Sequence, residues 1–373
     1  MLRVPVNEPL LNGRERELLL ECIDTGWISS EGPFIPEFEK RMAAAAGRRH
    51  GVAVCNGSAA LDAAVAALRL GPGDEVILPS FTIISCAAAI VRAGATPVVV
   101  DADPVTWNMD VSRLEAAVSP RTRAIMVVHI YGLPTDMAPV LELARHHGLR
   151  VIEDAAEMHG QTCRGQPCGS FGDLSVFSFY PNKHVTTGEG GMIVTDSEEL
   201  AERCRSLRNL FFNPVRRFVH EELGWNLRMT NLQAALGLAQ LERLPEFVER
   251  KRRMGRLYHE LLGHRDDIEL QPQATSYARN IWWVFGLVSR REGLDATLLA
   301  QRLAARGVGS RPFFWPMHEQ PVFRKRGLFT GVHCPVAERI ARHGLYLPSG
   351  MALTEEQIHY SASALLEALD ERL

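Results

Sequence analysis

The sequence predicts an α/β protein: a large domain built on a mostly parallel sheet, then a smaller α+β domain. Three observations predict this. Between residues 51 and 207, short β-branched runs alternate with helical patterns. The strand runs are apolar throughout, the pattern of strands covered on both faces. From about Pro245 the alternation stops. The implied division is an N-terminal segment near the active site over 1–30, a large domain over 31–245 and a small domain over 246–373.

In chain order, the apolar runs predict strands over Gly51–Cys55, Glu75–Leu78, Pro97–Asp101, Ala124–His129, Arg150–Glu153, Leu174–Phe179 and Met192–Thr195. Helical patterns between them predict helices over Ser58–Leu70, Ile84–Arg92, Val111–Val118, Met137–His147 and Glu198–Leu207. Ser58 is the expected N-cap of the first of these, and Gly71 follows its end. A further helix over Leu232–Leu241 is capped by Thr230 or Asn231. Beyond it come a charged helix from Glu246 to Leu262, a strand over Asn280–Val288, a helix over Ala296–Arg306 and a final helix from Glu355.

At 373 residues the chain can bury a large core and support a second unit. Its 46% hydrophobic and 23% charged residues are those of an ordinary globular protein. A net charge of -3 argues against nucleic acid as a partner, while the basic stretch Arg203 to Arg217 leaves room for a small anion. No apolar stretch is long enough for a membrane span, and the first residues carry no signal-peptide hydrophobic region. The seven cysteines include no Cys-x-x-Cys pair, so neither a zinc site nor a disulfide framework is expected, and a reducing cytoplasm fits.

The chemistry gathers at the carboxyl ends of predicted strands, where open parallel sheets bind ligands. Lys183 lies in Ser175-Val-Phe-Ser-Phe-Tyr-Pro-Asn-Lys183-His184, just after an apolar strand and before Thr186-Thr-Gly-Glu-Gly-Gly191. Asp154 ends another, in Glu153-Asp154-Ala-Ala-Glu157-Met-His159. A lysine and a carboxylate so placed suit pyridoxal 5'-phosphate (PLP): the lysine forms the Schiff base and the acid keeps the pyridine nitrogen protonated. Glu157 is a partner for the ring's phenolic oxygen. Asn56-Gly57-Ser58 at a helix start offers a phosphate seat, with Ser178 a further phosphate ligand; plain capping also accounts for Ser58. The acids and His159 make no coherent metal set, so no metal is expected. His184 is either catalytic or turned away. Asn226 and Arg228 suit an anion, and Arg311-Pro-Phe-Phe-Trp-Pro-Met-His318 reads equally as pocket wall and as core.

Together these stretches resemble the DegT/DnrJ/EryC1/StrS family of PLP-dependent sugar aminotransferases, from Cys22-Ile-Asp-Thr-Gly-Trp-Ile-Ser-Ser30 to Tyr346-Leu-Pro-Ser349. The resemblance implies a fold-type-I, aspartate aminotransferase-like architecture and a homodimer with shared active sites. It implies that Lys183 carries PLP, that Asp154 contacts the pyridine nitrogen and that Glu157 contacts the ring oxygen. Gly57, Ser58 and Ser178 would hold the phosphate, joined by Asn226 from the partner subunit. Trp27, His184, Arg311 and His318 would fall near the keto-sugar substrate, and glutamate would be the amino donor.

Within the family, Val128-His-Ile-Tyr-Gly132 and Arg311-Pro-Phe-Phe are similar to the GDP-perosamine synthases, which aminate GDP-4-keto-6-deoxymannose. Three departures stand out. Pro181-Asn-Lys183-His184 replaces Gly-Asn-Lys-Thr, Ile83 stands where an aromatic is usual, and Trp315 and Met317 are bulkier than usual. With Ile83 in that place, stacking on the cofactor ring either falls to Phe81 or goes unfilled. Enzymes that make the 8-amino form of the eight-carbon sugar acid Kdo share the same look, and a PLP-binding regulatory protein without turnover is a further alternative. Lysine at 183, where the family's sugar dehydratases carry histidine, argues against dehydration. The missing Gly-x-Gly-x-x-Gly argues against a nicotinamide dehydrogenase.

Overall fold

The computed structural model describes residues 2–213 and 215–372. Its large sheet has seven strands: β1 (His50–Val54), β2 (Glu75–Pro79), β3 (Thr96–Val100), β4 (Thr122–Val128), β5 (Arg150–Asp154), β8 (Leu174–Ser178) and β9 (Gly191–Thr195). A small hairpin, β6 (Thr162–Cys163) and β7 (Gln166–Pro167), stands apart between β5 and β8. The strand order is β1-β9-β8-β5-β4-β2-β3. From β8 to β3 all neighbours are parallel, while β9 runs antiparallel to both β8 and β1. Only β9 is therefore reversed. The loop that turns the chain from β8 into β9 is the one that carries Lys183.

The strands read as continuously apolar because the two sheet faces feed two different cores. Along β2, Val76 and Leu78 enter one buried cluster and Ile77 the other. Along β4, Ala124, Met126 and Val128 enter the first, Ile125 and Val127 the second. This is the period of two of any strand, with no face left for water. The helices Gly57–Ala67, Ile84–Arg92 and Glu198–Arg208 cover the first face; Phe34–Ala45, Met137–His147 and Asn231–Leu241 cover the second.

The second sheet is antiparallel, in the order β10-β11-β13-β12, from β10 (Ile268–Leu270), β11 (Phe285–Ser289), β12 (Arg311–Pro312) and β13 (Gly344–Leu347). The helices Leu244–Leu262, Ala296–Ala305 and Glu355–Asp370 share a third buried cluster with it. Phe313, Met317, Ile340 and Tyr346 instead join the first cluster, so this part of the chain packs directly on the large sheet's helices.

Three local expectations are corrected. The strand expected over Asn280–Val288 begins only at Phe285, because Asn280 Oδ1 accepts the Trp282 N–H and Trp282 takes a left-handed φ of 47°. The expected Val111–Val118 helix is a 3-10 turn over Val111–Arg113 and a single turn over Leu114–Ala117. The N-cap before Ala59 is Asn56, whose side chain accepts the Ala59 N–H, and Ser58 lies inside the helix. Thr230 caps the Asn231–Leu241 helix with a capping box to Gln233. Asn231 is thereby free to accept from Phe34 N–H and donate to the Trp27 carbonyl, pinning the N-terminal segment. Among the described residues, no helix is long and apolar enough to cross a membrane.

Candidate active site

A cavity of about 580 Å³ opens where the parallel strands end, and Lys183, Asp154, Glu157, Gly57, Ser58, Ser178 and Arg311 all line it. Topology explains the gathering. Asp154 closes β5 and Ser178 closes β8, its parallel neighbour. Gly57 and Ser58 begin the helix after β1, and Arg311 opens β12 beside Tyr346 of β13.

Lys183 enters through a turn in which its N–H bonds to the Tyr180 carbonyl. Its Nζ lies 3.7 Å from Glu157 Oε1 and 3.7 Å from the centre of the Trp283 ring. Burial lowers the Lys183 pKa, against the opposing pull of Glu157 and Asp154. Asp154 is buried, with Oδ1 accepting Ala156 N–H at 3.0 Å and Oδ2 accepting the Cys86 thiol at 3.2 Å. Burial raises its pKa, and those two bonds with the field of Lys183 work against the rise. Glu153, one residue earlier, points to the other face and is satisfied by His129, Gly169 N–H, Phe171 N–H and Ser175.

Glu157 Oε2 accepts the Tyr131 N–H at 2.6 Å, and Tyr131 takes a φ of 61° to aim that N–H. Burial raises the Glu157 pKa from 4.5 to about 7, with Lys183 and the Tyr131 N–H pulling the other way. An acid whose pKa rises on folding favours the folded state at low pH, and that contribution is lost as the pH climbs through about 7. Glu157→Gln removes it. Between about pH 4 and about pH 8, the stability of cofactor-free wild type relative to this variant should fall by on the order of 3 kcal/mol. Denaturant titration across that range checks this; a difference that does not change with pH would refute it.

The residues expected to seat a phosphate meet at one point. Ser58 Oγ is 2.7 Å from Ser85 Oγ, and a Cβ built on Gly57 would lie 2.7 Å from Ser178 Cβ. Glycine at 57 is thus what lets the helix start sit against the end of β8. Gly191 does the same for β9, since a Cβ there would meet the Asn56 carbonyl at 2.4 Å. Gly57→Ala should cost about 1–3 kcal/mol of stability from overpacking. It should also weaken PLP uptake, read by thermal denaturation and cofactor titration.

Other expected site residues lie elsewhere. Phe81 does not reach the cavity; its fully buried ring packs on Tyr131, Phe313 and Phe314. Two residues on, Ile83 is 42% exposed and lines the cavity instead. His184 points away from the cavity: it is buried, with Nε2 3.4 Å from the Ile281 carbonyl. His318 is buried between Ser80 Oγ (2.7 Å) and Glu338 Oε1 (3.0 Å), behind the cavity wall. Trp27 is exposed and does not line the cavity. Asn226 is exposed too, bridged to Asn209 outside the cavity. His159, stacked between Phe177 and Phe179, receives the Val185 N–H on Nδ1, and burial pulls its pKa down to about 3.

Sequence reasoning missed Trp283, Cys86 and Tyr346. The Trp282-Trp283 pair was visible in its apolar run, but nothing local ties it to Lys183. Cys86 lies 68 residues from Asp154 and gives no local signal.

The chain matches the model of the DegT/DnrJ/EryC1/StrS aminotransferase family over residues 9–366. It is similar to the GDP-perosamine synthase of Caulobacter vibrioides, with 46% identity and 98% of each chain covered. To the GDP-perosamine synthase of Escherichia coli O157:H7 the identity is 38%, over 100% of each chain. Among solved structures it is similar to S. venezuelae DesV in complex with a ketimine intermediate, with a TM-score of 0.92, 34% identity and 100% of each chain covered. The chain therefore belongs to the DegT/DnrJ/EryC1/StrS aminotransferase family and is a PLP-dependent sugar aminotransferase.

Proposed function

We propose that this enzyme moves an amino group from glutamate to the keto carbon of a nucleotide-linked deoxysugar, with GDP-4-keto-6-deoxymannose as acceptor and GDP-perosamine as product. The observation that carries this is the cavity that unites Lys183, Asp154, Glu157 and the Gly57–Ser58–Ser178 seat in a chain 46% identical to a GDP-perosamine synthase.

These residues fit PLP. The seat offers hydroxyls and a helix N-terminus to a phosphate, and a glycine where a Cβ would clash. Lys183 would hold the cofactor, Asp154 its pyridine nitrogen, Glu157 its ring oxygen and Ile83 one face of its ring. Asn226, exposed and outside its own cavity, would serve the phosphate of a partner subunit, which makes a homodimer the working unit. When bound, PLP supplies an electron sink for the pair released as a C–H bond next to nitrogen breaks. The chain does the rest. Lys183 Nζ, with its pKa lowered by burial, takes the proton from one carbon and returns it to another. The buried Asp154 keeps a negative charge opposite the ring nitrogen. Arg311, exposed at the mouth beside Tyr346, is placed for an anionic group of the sugar nucleotide.

The test is a visible spectrum of the PLP-loaded protein. Glutamate should bleach the cofactor's yellow band, and GDP-4-keto-6-deoxymannose should restore it. Recovery with 8-oxo-Kdo instead would move the assignment to the eight-carbon acid. A band indifferent to glutamate would mean another donor or a binding protein without turnover.

A further inference from the structure

The long helix Leu244–Leu262 sends a second lysine into the interior behind the cavity. Lys251 is 2% exposed, and no carboxylate pairs with it among the described residues. Its Nζ donates to two main-chain carbonyls, Trp283 at 2.8 Å and Ser349. Leaving a buried amine on neutral acceptors is costly, and a methionine would fill the same space without that cost. What the amine holds is the reason to look further. Trp282 bends the chain, and Trp283 then turns its indole to the cavity. The indole Nε1 donates to the carbonyl of Asn182, next to the cavity lysine, at 2.7 Å. The ring itself lies 3.7 Å from Lys183 Nζ. Ser349 is tied to the same strand, since its Oγ accepts the Phe285 N–H.

We propose that Lys251 is a positioning residue: by holding the Trp283 carbonyl it fixes the indole that covers Lys183 Nζ and braces the Asn182 carbonyl, and so keeps Lys183 aimed into the cavity. The proposal rests on the aminotransferase reading of Lys183. Burial, and then the charge of Lys183, pull the Lys251 pKa down to about 7, consistent with two amines in one desolvated region.

The test compares Lys251→Met, Lys251→Gln and Trp283→Phe. Two readouts are taken: PLP uptake by the apoprotein, and the pH profile of Lys183 labelling by acetic anhydride in the apoprotein, followed by mass spectrometry. Lys251→Met and Trp283→Phe should each weaken PLP uptake about tenfold and displace the labelling profile in the same direction. The double variant should be no worse than either single one, because both break one chain of contacts. Lys251→Gln, which still donates to a carbonyl, should stay near wild type. Wild-type behaviour of Lys251→Met, or equal damage in Lys251→Gln, would overturn the proposal. If Lys251→Met does not fold, a Trp283→Phe variant with unchanged labelling overturns it alone. A wild type that takes up no PLP would sink the aminotransferase reading, while the labelling profiles, which need no cofactor, would still decide the role of Lys251.

Discussion

Lys183→Ala is expected to lower amino transfer by at least about 10³-fold, because a positioned general base is itself worth about 10²–10⁴. The lysine-linked cofactor band should vanish with it. The variant should still fold. The lysine is buried against an aromatic ring and one acid, and its removal takes a desolvated amine out of the interior. Thermal stability of the apoprotein should therefore be unchanged or raised, the usual relation between stability and a functional site. Glu157 loses the field that holds its pKa down, so its carboxyl should stay protonated to higher pH. Lys183→Arg should not rescue activity, because a guanidinium stays charged and cannot take up a proton. Activity within about tenfold of wild type would refute the assignment.

Asp154→Asn is the second large effect. Asp154 accepts two donors, the Ala156 N–H and the Cys86 thiol, one on each oxygen. Asparagine keeps a single oxygen and turns its NH2 toward one of those donors. Turned to the Ala156 N–H it sets donor against donor, and turned to Cys86 it meets a sulfur that accepts only weakly, so a cost of about 1–3 kcal/mol is expected. The loss of the charge proposed to face the ring nitrogen should lower the glutamate half-reaction by at least about 10²-fold, the scale of removing one preorganised electrostatic group. Stopped-flow bleaching of the cofactor band would measure the rate, and chemical denaturation the stability. A slow variant with no change in the band's position would argue that Asp154 does not face the ring nitrogen.

Much of the fold was legible because its strands are apolar on both faces and its helices carry clear starts. Two of the misplaced boundaries share one cause. Where a side chain takes over a backbone bond, as Asn280 does for the Trp282 N–H or Asn56 for the Ala59 N–H, periodicity no longer reports the chain's path. In the site, Lys183, Asp154, Glu157, Gly57, Ser58 and Ser178 stood out because each lies at the end of an apolar run, and parallel topology gathers such ends. Phe81, His184 and His318 could not be placed the same way. Phe81 and His184 sit in loops and His318 in a short 3-10 turn, where no strand or helix period fixes a side chain's direction, and only packing against Tyr131, Ile281 and Glu338 decides it.

The sequence by itself determined the fold class, the family and the residue types that could handle a cofactor, because local pattern and strand-end position are properties of the chain. The tertiary structure decided which of those residues share a cavity. It placed Ile83 rather than Phe81 on the cavity wall, set Cys86 on Asp154, and brought Trp283 and Lys251 behind Lys183. Those contacts join residues from 32 to 101 positions apart, and no spacing rule reaches across a fold.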